Sequence, residues 1–164
     1  MKTPDKSRLF GKSLFWIGCI WGCLAITACQ HDTVLNKTFD TPRPAWAFND
    51  PVCFNLTVID TLTRYDLTFS LKHSEDYAWM NAFFLITTVF PDMNTAIDTL
   101  ECILATPDGK WIGSRLGKYR NLGFLYKQNI AFPQAGEYRF EVRHAMRNDT
   151  LREIEAVGMK ISRS

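Results

Sequence analysis

No apolar run in this sequence is long enough for an ordinary membrane-crossing helix. The uncharged, mostly apolar run Leu14–Ala28 (LFWIGCIWGCLAITA) falls short of the roughly 20 residues such a crossing needs. Internal repeats, heptads and low-complexity blocks are also missing. Glycine is scarce, and no glycine-rich loop of the phosphate-cradling kind occurs. There is no Gly-x-Ser-x-Gly nucleophile elbow. Histidine is limited to His31, His73 and His144, which share no spacing that a zinc site uses on a helix or hairpin. These absences predict no catalytic residue, no metal site and no cofactor. Lysine and arginine form no run behind residue 28, which argues against a nucleic-acid partner.

What is present begins with a three-zone N-terminus. Lys2, Lys6, Arg8 and Lys12 form a basic start, the uncharged run follows, and small residues lead into a cysteine. A run of that length suits the apolar zone of a secretory signal. Ile26-Thr27-Ala28-Cys29 resembles the lipobox of bacterial lipoproteins: an aliphatic residue, two small ones, then the cysteine that is diacylated and becomes the new N-terminus. Cys23 fits worse, because bulky Trp21 precedes it. Cys29 is therefore the expected lipidation site. Two or three acyl chains there would moor the protein to a membrane, since each buried CH₂ adds about 0.8 kcal/mol. The expected organisation is a helical signal segment 1–28, a lipidated tether 29–36 and a single domain 37–164. The first 28 residues hold four basic side chains and one acid, so the remainder carries 15 basic against 16 acidic residues, close to neutrality.

The domain reads as all-β. Tyr65, Leu67, Phe69 and Leu71 alternate with Asp66, Thr68, Ser70 and Lys72, the period of a strand with one buried and one wet face. Phe54-Leu56-Val58, Tyr138-Phe140-Val142-His144, Leu100-Cys102-Leu104 and Val157-Met159-Ile161 repeat that pattern. Asn81–Phe90 is apolar in both phases and rich in β-branched and aromatic residues, as a central strand covered on each side would be. Turn chemistry separates these runs at 60–64, 73–76, 90–92, 107–109, 133–136 and 148–149, with Asp108-Gly109 the best tight-turn candidate. Roughly seven to nine short strands at this spacing predict an antiparallel β-sandwich, jelly-roll or Ig-like. The stretch 118–132 fits neither period; a bulged strand and a strand with a helical turn both remain open.

Several residues deserve weighing as sites. Glu75-Asp76 is an acidic pair, but adjacent carboxylates on a strand point to opposite faces, so a solvated loop is the better reading. His144 lies on the apolar phase of its strand and reads as a core histidine with a hydrogen-bond partner. Trp46, Trp79 and Trp111 could form an aromatic platform for sugar or for a partner, although aromatics in a small β domain more often fill the core. Cys53 and Cys102 read better as two buried thiols than as a disulfide, whose geometry a sequence cannot supply. Charged and aromatic residues crowd two turn regions, Asp108, Lys110, Trp111 and Arg115 in one and Arg147 and Arg152 in the other, and both are candidate partner contacts.

Two blocks, Asp98-Thr99-Leu100 with Leu104–Gly113 (LATPDGKWIG) and Gly136–Phe140 (GEYRF) with His144-Ala145-Met146-Arg147, Leu151 and Val157-Gly158, together with the lipobox, resemble the gliding-motility lipoprotein family called GldH. The resemblance covers nearly all of the chain behind Cys29. It implies a non-enzymatic envelope component, linked to cell movement and to secretion of surface proteins; members also occur in bacteria that do not glide. The expected location is the outer membrane, facing the periplasm. The expected partners are the membrane, through acyl chains on Cys29, and envelope proteins of a gliding or secretion apparatus. A carbohydrate- or ligand-binding surface module is the alternative. Asp32-Thr33-Val34, Asp60-Thr61-Leu62, Asp98-Thr99-Leu100 and Asp149-Thr150-Leu151 further resemble the Asp–Ser/Thr–apolar sequon of that bacterial group, making Thr33, Thr61, Thr99 and Thr150 candidate O-glycosylation sites.

Overall fold

The computed structural model describes residues 32–164; the expected signal helix, Cys29 and His31 lie outside the described residues. The described chain contains strands and no helix, in the order β1 (Thr33–Asp40), β2 (Trp46–Ala47), β3 (Val52–Val58), β4 (Arg64–Ser74), β5 (Asn81–Val89), β6 (Thr95–Ile103), β7 (Ser114–Leu116), β8 (Tyr119–Ala131), β9 (Gly136–His144), β10 (Thr150–Leu151) and β11 (Ile154–Arg163). A five-stranded sheet runs β1-β11-β4-β8-β7, a four-stranded sheet runs β3-β9-β5-β6, and β10 pairs with β2 as a short ribbon. Every pairing is antiparallel. This is the expected all-β sandwich, with more strands than expected because β2, β7 and β10 are too short to leave a period in the sequence.

Alternation explains the core. On β4 the inward residues are Tyr65, Leu67, Phe69, Leu71 and His73; on β9 they are Tyr138, Phe140, Val142 and His144; on β3, Val52, Phe54, Leu56 and Val58. Phe69 of the larger sheet meets Phe84 of the smaller at 5.0 Å between ring centres, and Tyr65 meets Phe132 at 5.2 Å. Each such buried Leu or Phe contributes about 1.5–3 kcal/mol relative to leaving it in water. Along one flank β6, the edge of its sheet, meets the part of β8 that extends beyond its short pairing with β7, and Asp98 joins the two. Its carboxylate accepts a 2.6 Å hydrogen bond from the Tyr126 hydroxyl and pairs with Lys127 Nζ at 2.8 Å. Partial burial works to raise the Asp98 pKa, but these hydrogen bonds and the Lys127 charge outweigh it and hold the carboxyl below its ordinary range. The clamp is therefore ionic.

Four expectations are corrected and one open choice is resolved. Residues 33–36, expected in the tether, stand in β1, paired with β11 and burying Leu35. His73, expected in a turn, is the inward residue near the end of β4, and the turn starts after Ser74. Strand β5 is covered fully on one face only; Phe83, Leu85, Thr87 and Val89 on the other are half-buried. Cys53 is exposed on the outer face of β3, and only Cys102 is buried. Since β3 and β6 are the opposite edges of their sheet and these two side chains lie in opposite phases, no bridge can join them. The stretch 118–132 is the bulged strand: β8 follows β4 with register shifts near Leu67 and a positive φ at Asn129.

The sandwich has two unlike ends. At one, short turns 59–63, 90–94 and 132–135 lie beside Asp32 and the C-terminal Ser164, whose amide donates to Arg64 O. At the other gather the long connections 41–51, 75–80, 104–118 and 145–153.

Candidate functional site

The long connections are held by the core beneath them. Trp46 is fully buried against Phe84 and the edge of His144, and its Nε1 donates to Asp50 O at 2.6 Å. That indole fixes β2, on which β10 pairs through Thr150 and Ala47 and through Leu151 and Trp46. Thr41 donates through its hydroxyl to Ile154 O and through its amide to Glu155 O, and Arg43 pairs with Glu155 at 2.5 Å. The peptide bond between Arg43 and Pro44 is cis.

Asp108-Gly109 forms the expected tight turn. The Gly109 amide donates to Thr106 O at 2.8 Å, the Thr106 amide to Lys110 O at 2.9 Å, and Ala105 bridges Trp111. Asp108 and Lys110 pair with each other at 2.8 Å on the exposed tip. Trp111 turns inward, its ring 4.8 Å from that of buried His73. Arg115 reaches Glu75, which also accepts from Arg120 Nε at 2.9 Å. The 74–79 turn so joined to Arg115 then lines a cavity of about 340 Å³ with Asn148, Thr150 and Arg152, and Trp79 stands on its rim. A neighbouring cavity of about 410 Å³ lies between Phe48-Asn49 and Met146–Asp149, including Arg147. The two candidate contact regions, separate in sequence, thus belong to one end of the molecule. Trp111 contributes packing there rather than a free face. Phe48 and Met80, both exposed, complete the surface and were not foreseen; neither lies in a periodic run that would single it out.

The chemistry at this end is that of contacts. Glu75 is occupied by two guanidiniums, and Asp76 closes its own turn against Ser74. His144 is in the core as expected, but without the expected partner: neither ring nitrogen has a hydrogen bond among the described residues. Burial pushes its pKa down, and the carbonyls of Trp46 and Asp149, near the ring but outside hydrogen-bonding geometry, offset this only partly. His73 also has its pKa pushed down by burial; its Nδ1 lies 2.8 Å from Ser74 O and its Nε2 is unpartnered among the described residues. No group of three His, Cys, Asp or Glu side chains among the described residues could hold a metal ion. The three-indole platform does not exist, because Trp46 is fully buried and Trp111 packs on His73, leaving Trp79 alone in the open.

The sequon threonines do not gather. Thr33 is exposed on β1, Thr99 on the outer face of β6 and Thr150 on β10, whereas Thr61 is half-buried in the 59–63 turn.

The family model described as GldH lipoprotein matches residues 33–161. A protein of Christiangramia forsetii named gliding motility lipoprotein GldH homolog is 32% identical over 126 residues, covering 73% of this chain and 78% of that one. The gliding motility lipoprotein GldH of Flavobacterium johnsoniae is 29% identical over 145 residues, covering 84% and 89%. Among solved structures, the infectious bursal disease virus VP2 subviral particle aligns with 78% of this chain and 32% of its own at a TM-score of 0.34 and 10% identity.

Proposed function

The chain belongs to the GldH lipoprotein family, and from that premise we propose that it is a lipid-anchored, non-catalytic subunit of the gliding- or secretion-linked envelope machinery, acting through protein–protein contacts. The anchor is the acylated Cys29, and the location is the periplasmic face of the outer membrane; Gln30, rather than an Asp, follows the cysteine. The contact surface is the end carrying the long connections. One observation carries this reading: Arg147, Arg152, Trp79, Phe48 and the Asp108–Lys110 tip converge on the end of the sandwich opposite to the one where the chain enters. Tethering the other end confines this surface near the membrane and raises its effective concentration for a membrane-bound partner. Thr33, Thr99 and Thr150 are the proposed glycan acceptors, being exposed.

Affinity purification with crosslinking from native membranes tests the proposal. Envelope proteins of one machinery should be recovered with the wild-type chain, with crosslinks mapping to 41–51, 75–80, 104–118 or 145–153. Crosslinks confined to the sheet faces would reject the assigned surface. Replacing Cys29 with Ala should abolish membrane attachment.

A further inference from the structure

The end where the chain enters carries its own signature. Of the large apolar side chains that are exposed among the described residues, the three most exposed are Leu62 at 88%, Ile59 at 87% and Met93 at 74%, and all three stand in turns at the same end as Asp32. Met93 has φ +68°, a left-handed conformation in which Gly or Asn would sit with less strain. A long apolar side chain is nevertheless presented there. The polar residues of the same turns bond back into them. Asp60 accepts from the Leu62 amide at 2.8 Å and the Thr63 hydroxyl at 2.6 Å; Asp92 accepts from the Asn94 amide at 3.1 Å and from Gln134 Nε2 at 3.0 Å. No lysine or arginine occurs in 59–63, 90–94 or 132–135; of the arginines that flank them, Arg163 is paired with Asp32 and Arg64 donates to Asn129 O.

We propose that Ile59, Leu62 and Met93 insert into the surface of the bilayer that holds the acyl chains, so that the sandwich stands on the membrane by this end. The inference rests on the proposed acylation of Cys29. Fully extended, residues 29–32 reach no farther than roughly 14 Å, so Asp32 is held close to the headgroup layer, and the turns at its end of the sandwich face the bilayer when the domain stands upright. Apolar side chains kept at that depth enter the boundary between headgroups and acyl chains. The lack of basic residues in the turns makes the contact apolar rather than electrostatic, so it is insensitive to salt and needs no anionic lipid.

Brominated-lipid quenching of the acylated protein, reconstituted in phosphatidylethanolamine–phosphatidylcholine vesicles, tests this. The native Trp46, Trp79 and Trp111 all lie at the far end and set the baseline. Leu62→Trp and Met93→Trp should each add an emission that is blue-shifted and lost when the acyl chains carry bromine, equally at low and high salt. Ile103→Trp, exposed at the far end, should lose none. Variants that float with the vesicles yet keep their emission overturn the inference and leave the anchor intact. Protein that fails to float overturns the anchor itself.

Discussion

His144 and His73 are fully buried and have pKa values pushed down, chiefly by burial. The folded protein keeps them neutral to a lower pH than the unfolded chain does. Below about pH 6.5, the ordinary histidine value, the unfolded state therefore binds more protons, and stability falls as the pH drops. The slope is at most about 1.4 kcal/mol per pH unit for each ring. His144→Phe should remove its share of that slope and be neutral to stabilising at pH 7, by up to about 1 kcal/mol, because it eliminates two unpartnered nitrogens. Denaturant unfolding at pH 7 and pH 5 measures both effects. The cysteines give a second prediction at this scale. Cys53 is exposed, whereas burial pushes the Cys102 thiol up to about 12. In processed protein a thiol reagent should titrate Cys53 in the native state and Cys102 only on unfolding. The His144 environment was half legible in the sequence: its phase on β9 marked it as core, but its missing partners depend on Trp46, which is distant in sequence, and on the path of the 145–149 connection, which leaves no period.

Among the elements, β3, β4 and β9 were readable because each buries alternate residues against the other sheet; β11 was readable from Val157, Met159 and Ile161, although Ala156, Gly158 and Ser162 in the other phase are buried too. Strand β1 was not, because it is an edge strand in which only Leu35 is buried, so its hydrogen bonds to β11 leave no hydrophobic period. Strand β8 hid for another reason: its register shifts against β4 break the phase of Leu122, Phe124, Leu125, Ile130 and Phe132. The small β2–β10 ribbon is fixed by one indole and has no local signal at all. Gly158 is where three strands meet most tightly. It pairs with both Thr38 of β1 and Ser70 of β4, and a Cβ there would run into both hydroxyls and approach Lys37 O to 3.1 Å. Gly158→Ala should cost about 1–3 kcal/mol through overpacking. On β8, by contrast, a Cβ at Gly123 would make only an ordinary contact with Thr68 at 3.6 Å, and Gly123→Ala should gain about 0.5–1 kcal/mol. Thermal melts of the two variants should therefore move in opposite directions.

For the whole molecule, what matters is that the candidate contact residues collect at one end and chain entry at the other. The sequence named most of the first set, because charges beside turns stand out, yet it gave no hint that 108–115 and 147–152 are neighbours; that follows from the sheet order alone. Reversing charge with Arg147→Glu and Arg152→Glu should reduce recovery of the crosslinked partner at least about tenfold, the equivalent of 1.4 kcal/mol, with no change in melting temperature. Unchanged recovery would move the contact surface elsewhere. The position of Ser164 beside Asp32 also has a practical bearing. With the sandwich standing on the membrane as proposed, a fluorescent protein or affinity peptide fused to the C-terminus would be wedged between it and the lipid, crowding the headgroups and prising the domain upright or sideways. Epitope insertion at the Asp108-Gly109 tip leaves that footing clear, and when tagged cells lose the phenotype, the two placements separate a blocked partner from a disturbed stance.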